Sequence, residues 1–227
     1  MSKIIILGGH GDVAMLTHRR LTEAGHQVTA VIRTPTQSDE IRSTGAVPLV
    51  LDLQEATVEQ FAEAMSGHDA VVWSAGAGGA GPETTFAVDR DAAIRSMDAA
   101  QQAGADRYVM VSYQGSTLEH GLPEDHGFYP YVQAKAEADE HLRRSDLRWT
   151  ILGPGYLTDD APTGTVGLGP IEEFGGDRES AGPDGQREIS RGDVAQSIVE
   201  ALDLPETIGE FIEYGRGDTP IREALAR

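Results

Sequence analysis

Tyr131 and Lys135 stand four residues apart in "YVQAK", the separation of one helical turn. A phenol is a poor acid until a positive charge favours its anion. An ammonium about 4 Å away at an effective dielectric of about 20 is worth about 4 kcal/mol. That equals roughly three pKa units, enough to bring a phenol from about 10 towards neutrality. The pair therefore reads either as a proton donor with its electrostatic partner or as two neighbours on a helix face. The chain makes the first worth pursuing, because among its 18 basic residues two are lysines, Lys3 and Lys135. With six tyrosines, chance would place a lysine four residues after one of them in about one such chain in twenty.

The second candidate site is the turn "GGHGDVA". Gly8, Gly11 and Ala14 follow the apolar run "KIIILGG" and precede a helical pattern from Val13 to Ala24. A glycine at Gly8 permits a tight turn, Gly11 lets the backbone approach a diphosphate, and a small Ala14 lets helix and strand pack closely. The helix N-terminus offers unpaired N–H groups and a partial positive charge to phosphates. The candidate contacts here are Gly8, His10, Gly11, Asp12 and Val13 of a dinucleotide site. Asp12 adds repulsion unless it faces away and caps the helix.

The tip of the second strand selects the nucleotide. A site for NAD places a carboxylate there to accept from the ribose hydroxyls. "TAVIRTPTQ" has Arg33 instead and no acid before Asp39, so NADP(H) is favoured over NAD(H), with stacking on adenine or a solvated charge as the other readings of Arg33. Asp52 and Leu53 after "PLVL" suit the adenine edge, and Ala75, Gly76 and Ala77 open a small-residue loop against which ribose and diphosphate can lie. A helix N-cap and an ordinary glycine loop are the structural alternatives.

These positions need a scaffold, and the chain alternates strands and helices. Strands are expected at "HQVTAVIR", "VPLVLDL", "DAVVWSAG", "RYVMVS" and "RWTILGPG". Helices are expected near 38–44, 55–65, 86–103 and 129–144. Apolar strands without alternation imply a parallel sheet covered on both faces, an α/β doubly wound Rossmann fold. The whole of 1–227 reads as one nucleotide-binding domain, with 1–152 as core and 153–227 as a lid and small C-terminal, substrate-side extension. Residues 153–185 are too rich in Gly, Pro, Asp and Thr for a regular element and read as a lid or specificity loop. After them come a short strand "GQREIS", a helix "RGDVAQSIVEALD" with Asp193 in its first turn, and a last strand "GEFIEYG".

Composition narrows the partners. A formal net charge of −19 repels nucleic acid and anionic lipid. The absence of cysteine removes disulfides and thiolate chemistry. No segment has the apolar length of a membrane span or the build of a signal peptide, so a cytoplasmic location is expected, with a monomer or homodimer both open. No His or carboxylate spacing resembles a metal site. His120 and His126 precede the Tyr131 helix and read as solvated loop residues or as groups acting on a substrate proton.

In order along the chain, GGHGDVA, the arginine after the second strand, LDL, SAGAGG, YVQAK, a strand ending in PG, and ISRGDVA resemble the atypical short-chain dehydrogenase/reductases. The resemblance is nearest to the small NAD(P)-binding proteins labelled NAD-dependent epimerase/dehydratase or sugar epimerase, related to biliverdin reductase B and NmrA-like regulators. It implies that Tyr131 donates a proton to a carbonyl as hydride arrives from the nicotinamide, that Lys135 holds the ribose hydroxyls, that Ser112 polarises the carbonyl, and that Pro154 and Gly155 belong to the cofactor site. Three positions depart from the pattern. The serine pair after the fifth strand reads Ser112–Tyr113, the strand that commonly ends in Arg-Pro-Gly has Gly153 first, and Asp12 replaces a basic residue. Three functions stay open: an NADP(H)-dependent oxidoreductase or epimerase-like enzyme of a small carbonyl or hydroxyl substrate, a non-catalytic NAD(P)-binding redox sensor, and an NADPH-dependent flavin reductase.

Overall fold

The computed structural model describes residues 1–170 and 188–227. Strands β1 (Lys3–Leu7), β2 (Gln27–Ile32), β3 (Val47–Val50), β4 (Ala70–Trp73), β5 (Arg107–Val111), β6 (Arg148–Pro154), β8 (Thr165–Leu168) and β10 (Glu210–Pro220) form one sheet, ordered β3-β2-β1-β4-β5-β6-β10-β8. All neighbours run parallel except β8, which is antiparallel to β10. The order reverses direction between β1 and β4, the crevice where doubly wound sheets bind ligands. β7 (Tyr156–Thr158) and β9 (Glu188–Ser190) form a separate parallel pair.

The unalternating runs are buried on both faces, as expected. On β1, Ile4 and Ile6 join one core cluster with Leu21, Ile41, Val194 and Ile198, from helices α1 (Asp12–Glu23), α2 (Ser38–Ser43) and α7 (Arg191–Asp203). Ile5 and Leu7 face a second cluster with Phe61, Met97 and Leu142, from α3 (Val58–Met65), α5 (Ala93–Ala103) and α6 (Tyr129–Arg143). Trp73 is fully buried there and Trp149 packs against it partly exposed. Helix α7 keeps the bounds its pattern implies. Ser190 caps it, accepting from the Asp193 amide at 3.0 Å, while the buried Asp193 carboxylate accepts from Thr163 and Gly164 amides.

The segment after Leu152 is more regular than its composition suggests. Strand β6 runs to Pro154, and β7 and β8 both lie within the stretch expected to lack regular elements. Their partners β9 and β10 are distant in sequence, so local composition carries no trace of the pairing. Residues 171–187, the rest of the expected lid, fall outside the described part. The last strand continues to Pro220 through an irregular register between Gly215 and Thr219, and a short helix α8 (Ile221–Leu225) follows it. A Cβ on Gly217 would lie 2.2 Å from the Gly167 amide nitrogen, so this crossing of β10 and β8 needs glycine. The expected helix at 86–103 begins as α4 (Pro82–Thr85) and passes through a π-helical turn, Phe86–Ala92, before α5.

Two buried basic groups are held differently. Arg107, 7% exposed, donates to the Arg148 carbonyl at 2.7 Å, the Thr150 hydroxyl at 2.8 Å and the Ala201 carbonyl near the C-terminus of α7. Those oxygens and the negative end of the helix dipole stand in for a carboxylate. His18 on α1 is fully buried, its Nδ1 3.5 Å from the Thr44 hydroxyl and its Nε2 without a partner. Burial pushes its pKa from 6.5 down to about 4. The unfolded chain therefore takes up the histidine proton first, and stability present above pH 6.5 is lost as pH falls towards 4. The shift corresponds to about 3 kcal/mol. Asp89 and Asp139, raised by burial, act with the opposite sign, so the measurement is a difference: unfolding free energies of wild type and His18→Leu from pH 7 to pH 4. Wild type should lose about 3 kcal/mol relative to the variant. Parallel curves would mean that His18 is not held neutral.

Candidate active site

The glycine turn follows from its backbone. Gly8 has φ +82°, and a Cβ there would lie 2.5 Å from the Cα of Ala75 at the end of β4. The turn closes with the Gly11 amide on the Gly8 carbonyl at 3.1 Å. At Gly11 a Cβ would meet no protein atom closer than 3.4 Å, so the protein's own packing does not require glycine there and the open face is left for a ligand. Helix α1 starts at Gly11 with no side-chain cap, so its first N–H groups remain available. Ala14 is fully buried against the sheet and Val13 is buried beside it. Asp12, the first residue of α1, is 82% exposed, does not cap the helix, and pairs loosely with Arg191 at 3.5 Å.

A cleft of about 400 Å³ opens over this turn. Gly8, His10 and Gly11 form its floor, and Arg33, Asp52 and Leu53 line its far end. Ala75, Gly76 and Ala77 form the near wall. Nine of the positions read as nucleotide contacts thus meet in one cleft. Arg33 is exposed and makes no ion pair with any described residue, whereas His10 is tied to Glu40 at 2.8 Å. Asp52 does not cap α3. Its carboxylate accepts from the Gln54 amide, and Thr57 is the cap, in a reciprocal box with Gln60.

The wall of the cleft leads to the tyrosine. Asp89, 2% exposed on the π-helical turn, accepts from the Ala77 amide at 3.1 Å. A Cβ on Gly76 would come within 3.3 Å of its oxygen, which accounts for the small residue. Lys135 is 3% exposed and donates to the Val111 carbonyl at 2.8 Å, at the end of β5. Asp139, one turn further along α6, is fully buried. Both Ser112 and Ser116 donate their hydroxyls to its Oδ2, the latter at 2.6 Å, and its Oδ1 has no partner. Tyr131 packs against Tyr113 with ring centroids 5.4 Å apart and edge-on against the exposed Phe128 at 6.3 Å. Pro154 and Gly155 are buried, held by the Gln114 amide and the Tyr214 carbonyl, and do not line the cleft.

The electrostatics differ from the simple expectation for a tyrosine beside a lysine. Burial raises the Tyr131 pKa, and the carboxylates of Asp89 and Asp139 and the neighbouring Tyr113 raise it further. The Lys135 ammonium donates to the Val111 carbonyl and acts on the two acids, and the shift of the phenol is upward. Burial also pushes both carboxyls up, opposed by Lys135 and, for Asp139, by Ser112 and Ser116. Tyr113 is pushed up to about 12 by burial and by Asp139. Burial thus favours the protonated form of each of these acids, against the opposing Lys135 charge on the two carboxyls.

Asp89 and Asp139 were not among the residues singled out from the sequence, where Tyr113 entered only as a departure from a serine pair. A signal for the two acids exists. Asp89 shares helical spacing with the buried Ala92, Ala93, Ser96 and Met97, and Asp139 with Val132, Lys135, Ala136 and Leu142, so each is a carboxyl on an inward face. His120 bonds Gln133 at 2.9 Å, and His126 is exposed. Asp159 and Asp160 are exposed and pair with Arg191 and Arg216. Among the described residues no cluster of His, Asp and Glu could hold a metal, and no helix is long and apolar enough to cross a membrane.

The defining pattern of the NAD(P)H-binding family matches residues 8–205, from the glycine turn through α7. The chain belongs to that family. Among relatives of this NAD(P)H-binding protein, an uncharacterised sugar epimerase of Bacillus subtilis, YhfK, is 34% identical over 99% of both chains. A solved Bacillus halodurans structure, provisionally assigned as an NAD-dependent epimerase/dehydratase, is 33% identical over 99% of both chains, with a TM-score of 0.86. The oxidoreductase YlbE of Lactococcus lactis is 28% identical, covers 98% of this chain and 94% of its own, and superposes with a TM-score of 0.81. The fold and nucleotide class expected from the motifs are those of the family.

Proposed function

We propose that this chain is an NADP(H)-dependent oxidoreductase or epimerase-like enzyme of a small carbonyl or hydroxyl substrate, with Tyr131 as the acid and base. The observation that carries this reading is the burial of Lys135. An ammonium that is 3% exposed, with one backbone carbonyl accepting from it and the Asp89 and Asp139 carboxyls as its counter-charges, has donors left for a bound ribose hydroxyl. It lies one helical turn from Tyr131, and neither lines the cleft itself, whose glycine floor fits a diphosphate and whose lining includes Arg33, which has no ion-pair partner among the described residues. The residues present thus fit a dinucleotide: the turn of residues 8–13 for the diphosphate, Arg33 for a 2′-phosphate, and Lys135 for a ribose hydroxyl. Bound NADPH supplies a hydride equivalent. Tyr131 supplies the proton to the substrate oxygen, and its raised pKa keeps that proton in place until the oxygen becomes basic.

One observation favours a second reading, a redox sensor without chemistry. The Ser112 hydroxyl is committed to Asp139, so no serine at this position is free to polarise a carbonyl. Calorimetric titration with NADPH and NADH, repeated on Arg33→Ala, tests the part both readings share. NADPH should bind at least about tenfold more tightly than NADH, about 1.4 kcal/mol, and the difference should vanish in the variant. Absence of binding by either nucleotide would remove both readings, and a preference that survives Arg33→Ala would remove the role of that residue.

A further inference from the structure

Asp12 brings a negative charge to a turn proposed to receive phosphates, and the structure places a guanidinium against it. Arg191, the first residue of α7, lies with Nε 3.5 Å from Asp12 Oδ2 and Nη1 2.8 Å from Asp159 Oδ1 on the chain after β7. Arg20, in the last turn of α1, donates to the Gly192 carbonyl in the first turn of α7 at 3.4 Å, a further link between the two helices. Arg191 is mostly shielded, 26% exposed, whereas its two carboxylate partners are 82% and 89% exposed. Exposed partners are held weakly, and 3.5 Å is long for a charge-assisted bond. Arg191 does not line the cleft as it stands, and the basic residues in or near the cleft are engaged elsewhere or lie away from the turn. His10 is on Glu40, Lys135 is on the Val111 carbonyl, and Arg33 stands at the far end.

We propose that Arg191 is a diphosphate-binding residue of the nucleotide site, kept beside the turn by Asp12, whose carboxylate a phosphoryl group replaces. The inference rests on the dinucleotide reading of the cleft. Asp12 is the first residue of α1, so a phosphate seated on the N–H groups of residues 12 and 13 arrives within reach of the same guanidinium. Arg191 then completes a clamp of helix N-terminus and planar fork, and the Asp12 charge becomes a competitor rather than a ligand. Because every pyridine dinucleotide carries the diphosphate, Arg191 contributes affinity without choosing between NADP and NAD. That separates its role from the one given to Arg33.

The test is calorimetric titration of NADPH and NADH into wild type, Arg191→Gln, Arg191→Lys, Asp12→Asn and Asp159→Asn, each checked by thermal melting. Arg191→Gln should weaken both nucleotides by the same factor, about tenfold, and Arg191→Lys by less. Asp12→Asn should tighten both, and Asp159→Asn should leave both within about twofold of wild type. Unchanged affinities in Arg191→Gln would overturn the proposal. So would a loss confined to NADPH, which assigns the arginine to the 2′-phosphate, or an equal loss in Asp159→Asn, which makes it a strap for β7. If Arg191→Gln does not fold, Asp12→Asn decides, and affinities no tighter than wild type sink the idea. Wild type that binds neither nucleotide would instead remove the reading on which the proposal stands.

Discussion

Tyr131→Phe is expected to lower NADPH-dependent reduction of a small carbonyl acceptor by about a hundredfold or more while nucleotide affinity stays within about twofold. The phenol sits on the first turn of α6, its ring packed against Tyr113 and Phe128, so removing one oxygen leaves the packing intact. What is lost is the proton for the developing alkoxide. The measurement is NADPH oxidation with a panel of aldehydes, ketones and quinones, with free flavin as a second acceptor. A flavin needs a bound reductant and an open mouth rather than this proton, so its reduction should survive the change. Carbonyl reduction at the wild-type rate in Tyr131→Phe would remove the tyrosine from the mechanism. A wild type inert toward every acceptor, with nucleotide binding intact, would favour the sensor.

Gly8→Ala should abolish nucleotide binding and cost about 3 kcal/mol or more of stability, roughly 6–12 °C in Tm. Two independent effects act at this residue. Its φ of +82° is strained for any residue with a side chain, and the added methyl would lie 2.5 Å from the Ala75 Cα, a backbone atom that cannot turn aside. Relief requires β1 and β4 to separate at the crevice where the cleft opens. Thermal melting with calorimetric titration reads both consequences. A variant with wild-type Tm would show that the turn is not held close to β4 as described.

The fold could be read in advance wherever burial was local and continuous. Ile4 to Leu7, Val71 to Trp73 and Tyr108 to Met110 are apolar because both faces of a parallel strand are covered, and the sequence records that directly. Helix α7 was equally legible, since Ser190, Asp193 and the spacing of Val194 and Ile198 are start signal and inward face together. Strands β7 and β8 were not, because threonines and glycines become strands there through partners about 30 and 50 residues away. The site divides in the same way. The glycine turn, Arg33, Tyr131 and Lys135 carry their chemistry in residue type and spacing. Asp89 and Asp139 matter because they are buried, and an acid in a helix is ordinarily solvated. Burial of the phenol, with these two acids added, moves the Tyr131 pKa opposite to the shift that the Tyr–Lys pair alone suggests, a consequence of packing that spacing does not contain.

The most direct measurement is a diffraction structure of the chain crystallised with NADP⁺. The account predicts the diphosphate on residues 8–13, the 2′-phosphate at Arg33, and the nicotinamide within about 3.5 Å of the space a carbonyl would occupy beside the Tyr131 hydroxyl. A nucleotide bound elsewhere, or one whose nicotinamide lies on the far side of the cleft from Tyr131, would contradict it.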